Sequence, residues 1–219
     1  MYTKYILNKT MHKLHTLLNN YIAYAPEYIC LFIVLLIISV YTKSSKLAII
    51  TCIFFMCLLY FFQGANIVAK QNDKNTLYCP CDGTVSAIIP HKEYIQVCVF
   101  LNVHNTHVQY APFDCTVKSI KHIPGSFHPA YLLEKSQYNE RTEYVLHNAV
   151  FGDVPFVQIA GQLARSIVTF VEETDTVQTM EPIGLIKLGS RCDIYVPHGL
   201  SILVQEGDRV QIGDPLVEK

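Results

Sequence analysis

Two stretches of this chain carry no charged side chain, residues 28–41 (YICLFIVLLIISVY) and 47–69 (LAIITCIFFMCLLYFFQGANIVA), and only the polar connection TKSSK, with Lys43 and Lys46, separates them. Such a pair predicts a helical hairpin. A bilayer crossing takes about 20 apolar residues, which the first run reaches only if it extends back through Pro26 and Glu27 to Tyr21. The expected apolar segments are therefore about 21–41 and 47–69, in an N-terminal membrane-anchoring region of residues 1–70. A cleaved signal peptide would show one apolar run and a small-residue cleavage site, so a retained anchor is the better reading. Two buried core helices fit poorly, because so small a domain could not cover both on every side. Orientation is undecided by charge, since Lys4, Lys9 and Lys13 precede the hairpin and Lys70 and Lys74 follow it.

After about residue 70 the pattern changes to short alternating or β-branched runs broken by Gly, Pro, Asp and Asn. This predicts strands at 84–89, 94–101, 115–123, 143–150, 193–196, 201–205 and 215–218, with a helical or mixed stretch around 156–172. The expected class is α+β: a mainly β soluble domain over 71–219, of sandwich- or barrel-like hairpins with minor helix, preceded by the hydrophobic helical hairpin. From Ser201 to Val217 two Gly-Asp turns separate apolar strands, as in lipoyl or biotinyl carriers. A carrier needs an exposed lysine at a tight turn, and the only lysine near such a turn, Lys187, precedes Leu-Gly-Ser.

Composition narrows the function classes. With 17 basic and 18 acidic residues the net charge is -1, which gives no pull toward nucleic acid. The eight cysteines are scattered without paired CxxC motifs, so no metal site is expected and a reducing compartment is the simplest setting. Cys79 and Cys81 read as packing neighbours rather than as a metal or redox pair.

Candidate chemistry concentrates in KLGSRCDIYVP (187–197), CPCDGTV (79–85), FLNVHNTHVQYAP (100–112), GSFHPAYLLEKSQYNERT (125–142) and QIAGQLARSIV (158–168). In these stretches, which follow one another along the chain in the expected order, the chain resembles the short form of the phosphatidylserine decarboxylase proenzyme family, over nearly all of residues 79–219. The resemblance implies self-cleavage between Gly189 and Ser190, at an LGSR motif, and a pyruvoyl group made from Ser190 with no external cofactor and no metal. That group would form a Schiff base with the serine amine of phosphatidylserine and release CO2, giving phosphatidylethanolamine. The implied partners are the lipid, a membrane, the other self-cleaved chain and a second copy in a homodimer. The implied location is a membrane, the cell membrane in a bacterium, with the catalytic part on the reducing, cytoplasmic face.

The Gly-Ser pair also has its own physical logic. A glycine before the serine tolerates strained backbone angles and leaves its carbonyl open to Ser190 Oγ. Attack gives an ester, and β-elimination then leaves a dehydroalanine that hydrolyses to a pyruvoyl group. Taken alone, a Gly-Ser dipeptide marks an ordinary turn. Maturation needs a base and decarboxylation an acid, and histidine suits both. By the resemblance His107 is that acid/base and Asp82, in CPCDG, orients it, as an aspartate does in a serine triad. On the residues alone Asp82 reads first as a turn former in an Asp-Gly pair, and the plain alternative for His107 is a hydrogen-bonded core histidine.

Tyr110 stands where short-form members often carry arginine. His104, three residues before His107, would face the opposite side of a strand and reads as structural or surface. Asn139, Glu140 and Arg141 could contact headgroup or phosphate or form an exposed charged loop. Gln158 to Gly161 and Arg165 match the family without an assigned role, and no substrate-binding residue is identified. Two alternatives stand beside the enzyme: a membrane-anchored lipoyl- or biotinyl-like binding module, and a non-catalytic relative that keeps the fold without processing.

Overall fold

Pro26 opens the first helix, α1 (Pro26–Tyr41), at the helical position where a missing N–H is harmless. The chain then turns through Lys43, whose φ of 51° is left-handed. Ser44 Oγ accepts the Leu47 N–H at 3.3 Å and so caps α2 (Ser45–Phe61). Phe32 and Phe55 stack across the pair with ring centroids 3.9 Å apart. The predicted hairpin is present in part, over Pro26–Tyr41 and Ser45–Phe61. Its surface is apolar: Ile33, Val34, Ile37, Ile50, Ile53 and Met56 are each half exposed or more. Helices apolar on most sides are not stabilised by water.

The computed structural model describes residues 26–61, 73–162, 166–187 and 190–219. Among these, no helix is long and apolar enough to cross a membrane. The two helices have 16 and 17 residues, about 25 Å of rise against a hydrocarbon core of about 30 Å. The expected crossings are not found, and residues 21–25 and 62–69, which they included, lie outside the described residues.

The chain divides into two units, residues 1–64 and 65–219. The second contains β1 (Thr76–Tyr78), β2 (Gly83–Pro90), β3 (Tyr94–Leu101), β4 (Val108–Tyr110), β5 (Cys115–Ile123), the short helix α3 (Leu133–Ser136), β6 (Arg141–Asn148) and β7 (Gly152–Ala160). It continues with β8 (Ile167–Thr169), β9 (Thr176–Val177), β10 (Pro182–Ile186), β11 (Ser190–Pro197), β12 (Ser201–Ile202), β13 (Arg209–Val210) and β14 (Pro215–Glu218). The unit is mainly β, as the residue pattern predicts. One eight-stranded sheet has the order β13-β2-β3-β11-β7-β6-β5-β9, and two three-stranded sheets have the orders β4-β10-β8 and β1-β14-β12. Val97, Leu101, Tyr144, Phe156, Ile183, Ile186 and Ile194 belong to one buried cluster between these layers.

The helical or mixed stretch expected around 156–172 is instead β7 and β8, with residues 163–165 outside the description. The reason is position. β7 lies between β11 and β6, and Phe156, Val157, Gln158, Ile159 and Ala160 are all buried. A strand covered on both faces loses its alternation, and periodicity then does not separate strand from helix. The Gly-Asp turns do form, with Gly207 and Gly213 at φ 92° and 86°. Their flanking strands nevertheless join different sheets, since β13 pairs with β2 and β12 with β14, so this tail is not a carrier-like unit of its own.

Candidate active site

Ser190 begins β11 and is paired on both sides, with Leu101 of β3 and Ala160 of β7. Strand alternation turns Ser190, Cys192 and Ile194 to one face and Arg191 and Asp193 to the other. Cys192 and Ile194 belong to the core cluster, so the Ser190 face is the interior one. Ser190 is fully buried, and its Oγ has no hydrogen-bond partner among the described residues. A buried hydroxyl left unpaired costs about 1–3 kcal/mol. Such an atom needs a reason, and reactivity is one. Leu188 and Gly189, the other half of the expected scissile site, lie outside the described residues.

His107 is connected to the Ser190 end of β11 by two short links. Residues 102–107 lead from Leu101, opposite Ser190, to His107, whose carbonyl accepts the Ile186 N–H at 3.1 Å. Ile186 ends β10, and only residues 187–189 separate it from Ser190. The imidazole is fully buried, and Nδ1 lies 2.7 Å from the Asn105 carbonyl. A carbonyl only accepts, so Nδ1 carries the proton and Nε2 the lone pair. Burial pulls the His107 pKa down to about 4, against the opposing effect of the Asn105 bond, with His104 adding to the lowering. At neutral pH the ring is therefore an uncharged proton acceptor. His104 is exposed, as expected for a surface residue. The reason differs from the strand argument, because residues 102–107 form a loop.

Asp82 precedes β2, whose Thr84 pairs with Phe100, the neighbour of Leu101. Its Oδ1 accepts the Ile212 N–H at 2.9 Å. Asp82 lines a cavity of about 250 Å³ with Asn102, His104, Asn105 and Arg209. Asn105 thus belongs both to the cavity wall and to the hydrogen bond that holds His107. Asp82 and Ser190 lie at the same end of the adjacent strands β2, β3 and β11, and the loop that carries His107 leaves β3 at that end. The Asp-Gly pair is not a hairpin turn. Gly83 is already in β2, and a Cβ there would lie 2.4 Å from the Phe100 carbonyl oxygen.

A chain of buried amides, with no role assigned from the residues, supports His107 from behind. Tyr144 Oη donates to Gln158 Oε1 at 2.7 Å, Gln158 Nε2 to Gln109 Oε1, and Gln109 Nε2 to the His107 carbonyl at 2.7 Å. The signal in the residues is a glutamine inside an otherwise apolar strand run, in VQY and again in VQIA. Asn139 is also interior: its side chain bonds both the N–H and the carbonyl of His128, and the carbonyl of Ala160. It is neither an exposed loop residue nor presented to a headgroup. Arg141 bonds Glu143 at 2.7 Å, and Arg165 lies outside the described residues. Cys79 donates to the Cys81 carbonyl at 3.1 Å. The Cys79 thiol is pushed up by its Cys81 contact and by burial, and that of Cys81 chiefly by burial, so both stay neutral.

Comparison with known proteins bears on these positions. The family model for phosphatidylserine decarboxylase matches residues 54–218. A phosphatidylserine decarboxylase proenzyme of Streptomyces griseus is 37% identical over 163 residues, 74% of each chain. One of Desulfotalea psychrophila is 33% identical over 186 residues, 80% of this chain and 86% of the relative. A protein of Methanosarcina barkeri, provisionally named an archaetidylserine decarboxylase proenzyme, is 36% identical over 164 residues, 75% of this chain and 76% of its own length. The family-model match takes in every segment that builds the site, and the chain belongs to the phosphatidylserine decarboxylase family.

Proposed function

We propose that this chain is a self-processing phosphatidylserine decarboxylase, a carboxy-lyase made as a proenzyme that cuts itself between Gly189 and Ser190. The observation that carries the reading is the buried, unpartnered Ser190 Oγ at the start of β11. Among the described residues it has no hydrogen bond to lose when it reacts.

In maturation, His107 Nε2 takes the Ser190 hydroxyl proton, and Oγ bonds to the Gly189 carbonyl carbon. The Gly189–Ser190 C–N bond breaks, giving an ester and a free Ser190 amine. Removal of the Ser190 Cα proton with loss of the Cβ–O bond releases Gly189 as a carboxylate. Water then adds to the remaining dehydroalanine and ammonia leaves, so residue 190 becomes a pyruvoyl group. A neutral His107 suits the first step, and the Asp82 carboxylate favours the charged ring that follows.

The residues present fit such a group, since Ser190 is fully buried at the start of β11, between Leu101 and Ala160. There a pyruvoyl group supplies an electron-poor carbonyl that takes up the electron pair set free with CO2. His107 then returns a proton to the product carbon. Both substrates named among the relatives contain serine, so the reacting part is shared. The lipid substrate is also supported by the exposed apolar hairpin of α1 and α2, which we read as an attachment to the membrane surface carrying the catalytic unit on its cytoplasmic face.

Intact-mass analysis tests the proposal. The expected result is two chains, residues 1–189 and a pyruvoyl-blocked 190–219, with none of the full 24.9 kDa chain. Ser190→Ala should remain at full mass and release no CO2 from phosphatidylserine vesicles. A wild-type chain that stays whole would sink the reading.

A further inference from the structure

On the face of β11 away from Ser190 lies a buried ion pair that neither cleavage nor decarboxylation uses directly. Arg191 and Asp193 are 3% and 1% exposed. Arg191 Nε donates to Asp193 Oδ1 at 2.8 Å and Nη2 to Oδ2 at 3.0 Å, a two-point fork. Nη1 donates to Ser136 Oγ at 2.6 Å and to the Ala130 carbonyl at 3.3 Å. Gln96 Nε2 holds Asp193 Oδ2 at 2.9 Å. Burial works against the guanidinium charge, and its neighbours together, Asp193 foremost, more than offset it.

Arg191 therefore ties β11 to the 130–136 segment. Three residues on, Asn139 Nδ2 ties the same segment to the Ala160 carbonyl, beside Ser190 on β7. A buried pair is weak evidence for stability, because apolar side chains of similar volume fill such space as well. Its place in the chain supplies a different reason. If residue 190 becomes a chain end, β11 loses the covalent link to β10, and chain ends fray unless tied down. The residue that must stay still for the chemistry is then the terminal one.

We propose that Arg191 is a positioning residue, which holds the first residue of the cleaved small chain in the place where it was made. The inference rests on the proposed cleavage between residues 189 and 190. In the precursor β11 is held at both ends and the clamp is redundant. In the mature protein it replaces the lost peptide bond.

The test compares Arg191→Lys, which keeps the charge and loses the fork, in two forms: an uncleavable Ser190→Ala chain and the self-cleaved enzyme. Amide hydrogen exchange at residues 191–193 should rise roughly tenfold in the cleaved form and stay near wild type in the uncleaved one. Cleavage should go to completion by intact mass, while kcat for phosphatidylserine falls about tenfold and KM holds within about twofold. Ser136→Ala, which removes only the Nη1 contact, should give the same split more weakly, and it serves if Arg191→Lys does not fold. Equal exchange changes in both forms would make the pair merely structural and overturn the proposal, as would an unchanged kcat. Failure of the wild-type chain to cleave is a separate outcome, and it removes the reading on which the clamp rests.

Discussion

His107 is kept neutral by burial rather than by an ionic partner, and this gives the molecule a pH signature. Its pKa is about 4 when folded and 6.5 when free. Between those values the unfolded chain binds the extra proton, so stability rises with pH there. The contribution is complete above about pH 6.5 and is lost as pH falls toward 4, by at most a few kcal/mol. Urea denaturation of the uncleavable Ser190→Ala chain at pH 7.5, 5.5 and 4.5 should show this slope, and adding His107→Gln should flatten it. In the wild-type chain His107→Gln should slow maturation by about 10²-fold or more, the usual worth of a positioned base. Normal cleavage in that variant would mean that another group takes the Ser190 proton. Asp82, His107 and Ser190 were legible as residues because each stands inside a motif. Asn139 was not, since a polar residue among charged neighbours gives no sign that it will be buried.

At the scale of elements, the amide chain behind His107 depends on close packing between β7 and β10. A Cβ at Gly184 would lie 2.7 Å from Gln158 Nε2, 2.8 Å from its Oε1 and 3.0 Å from the Val168 carbonyl oxygen. Gly184→Ala must push away an amide already committed to Tyr144 and Gln109. It should destabilise the fold by about 1–3 kcal/mol, as overpacking does, and slow self-cleavage by displacing the His107 carbonyl. Thermal melts with a gel-based cleavage time course would check both. If maturation runs normally at a lowered Tm, the amide chain supports the fold and not the site. β5 was read to the residue because its open positions and bounding turn residues mark it, and the mostly buried β3 because turn residues bound it on both sides. β7 was misread for the opposite reason: its position at the sheet centre erased the alternation.

At the scale of the whole molecule, cleavage between residues 189 and 190 would leave a small chain woven into the large one. β11 lies between β3 and β7, β13 pairs with β2, and β14 with β1. The Cys79 N–H donates to the Asp214 carbonyl and the Gly213 N–H to the Cys79 carbonyl. The two chains should therefore co-elute in gel filtration without denaturant and separate only when the fold is lost. Recovery of a free 190–219 peptide under native conditions would contradict this topology. What the amino-acid sequence determined by itself was whatever depends on neighbours in the chain: the apolar hairpin, most strands of the eight-stranded sheet, the Gly-Ser bond and the family to which its motifs belong. What only the tertiary structure decided was whatever depends on register. It set an unpartnered Ser190 hydroxyl between Leu101 and Ala160, drew the His107 loop back to the end of β10, and placed Arg191 on the opposite face from Ser190 as a clamp. Register follows from packing between segments far apart in the chain, as Thr76 pairs with Glu218, and local propensity carries no record of it.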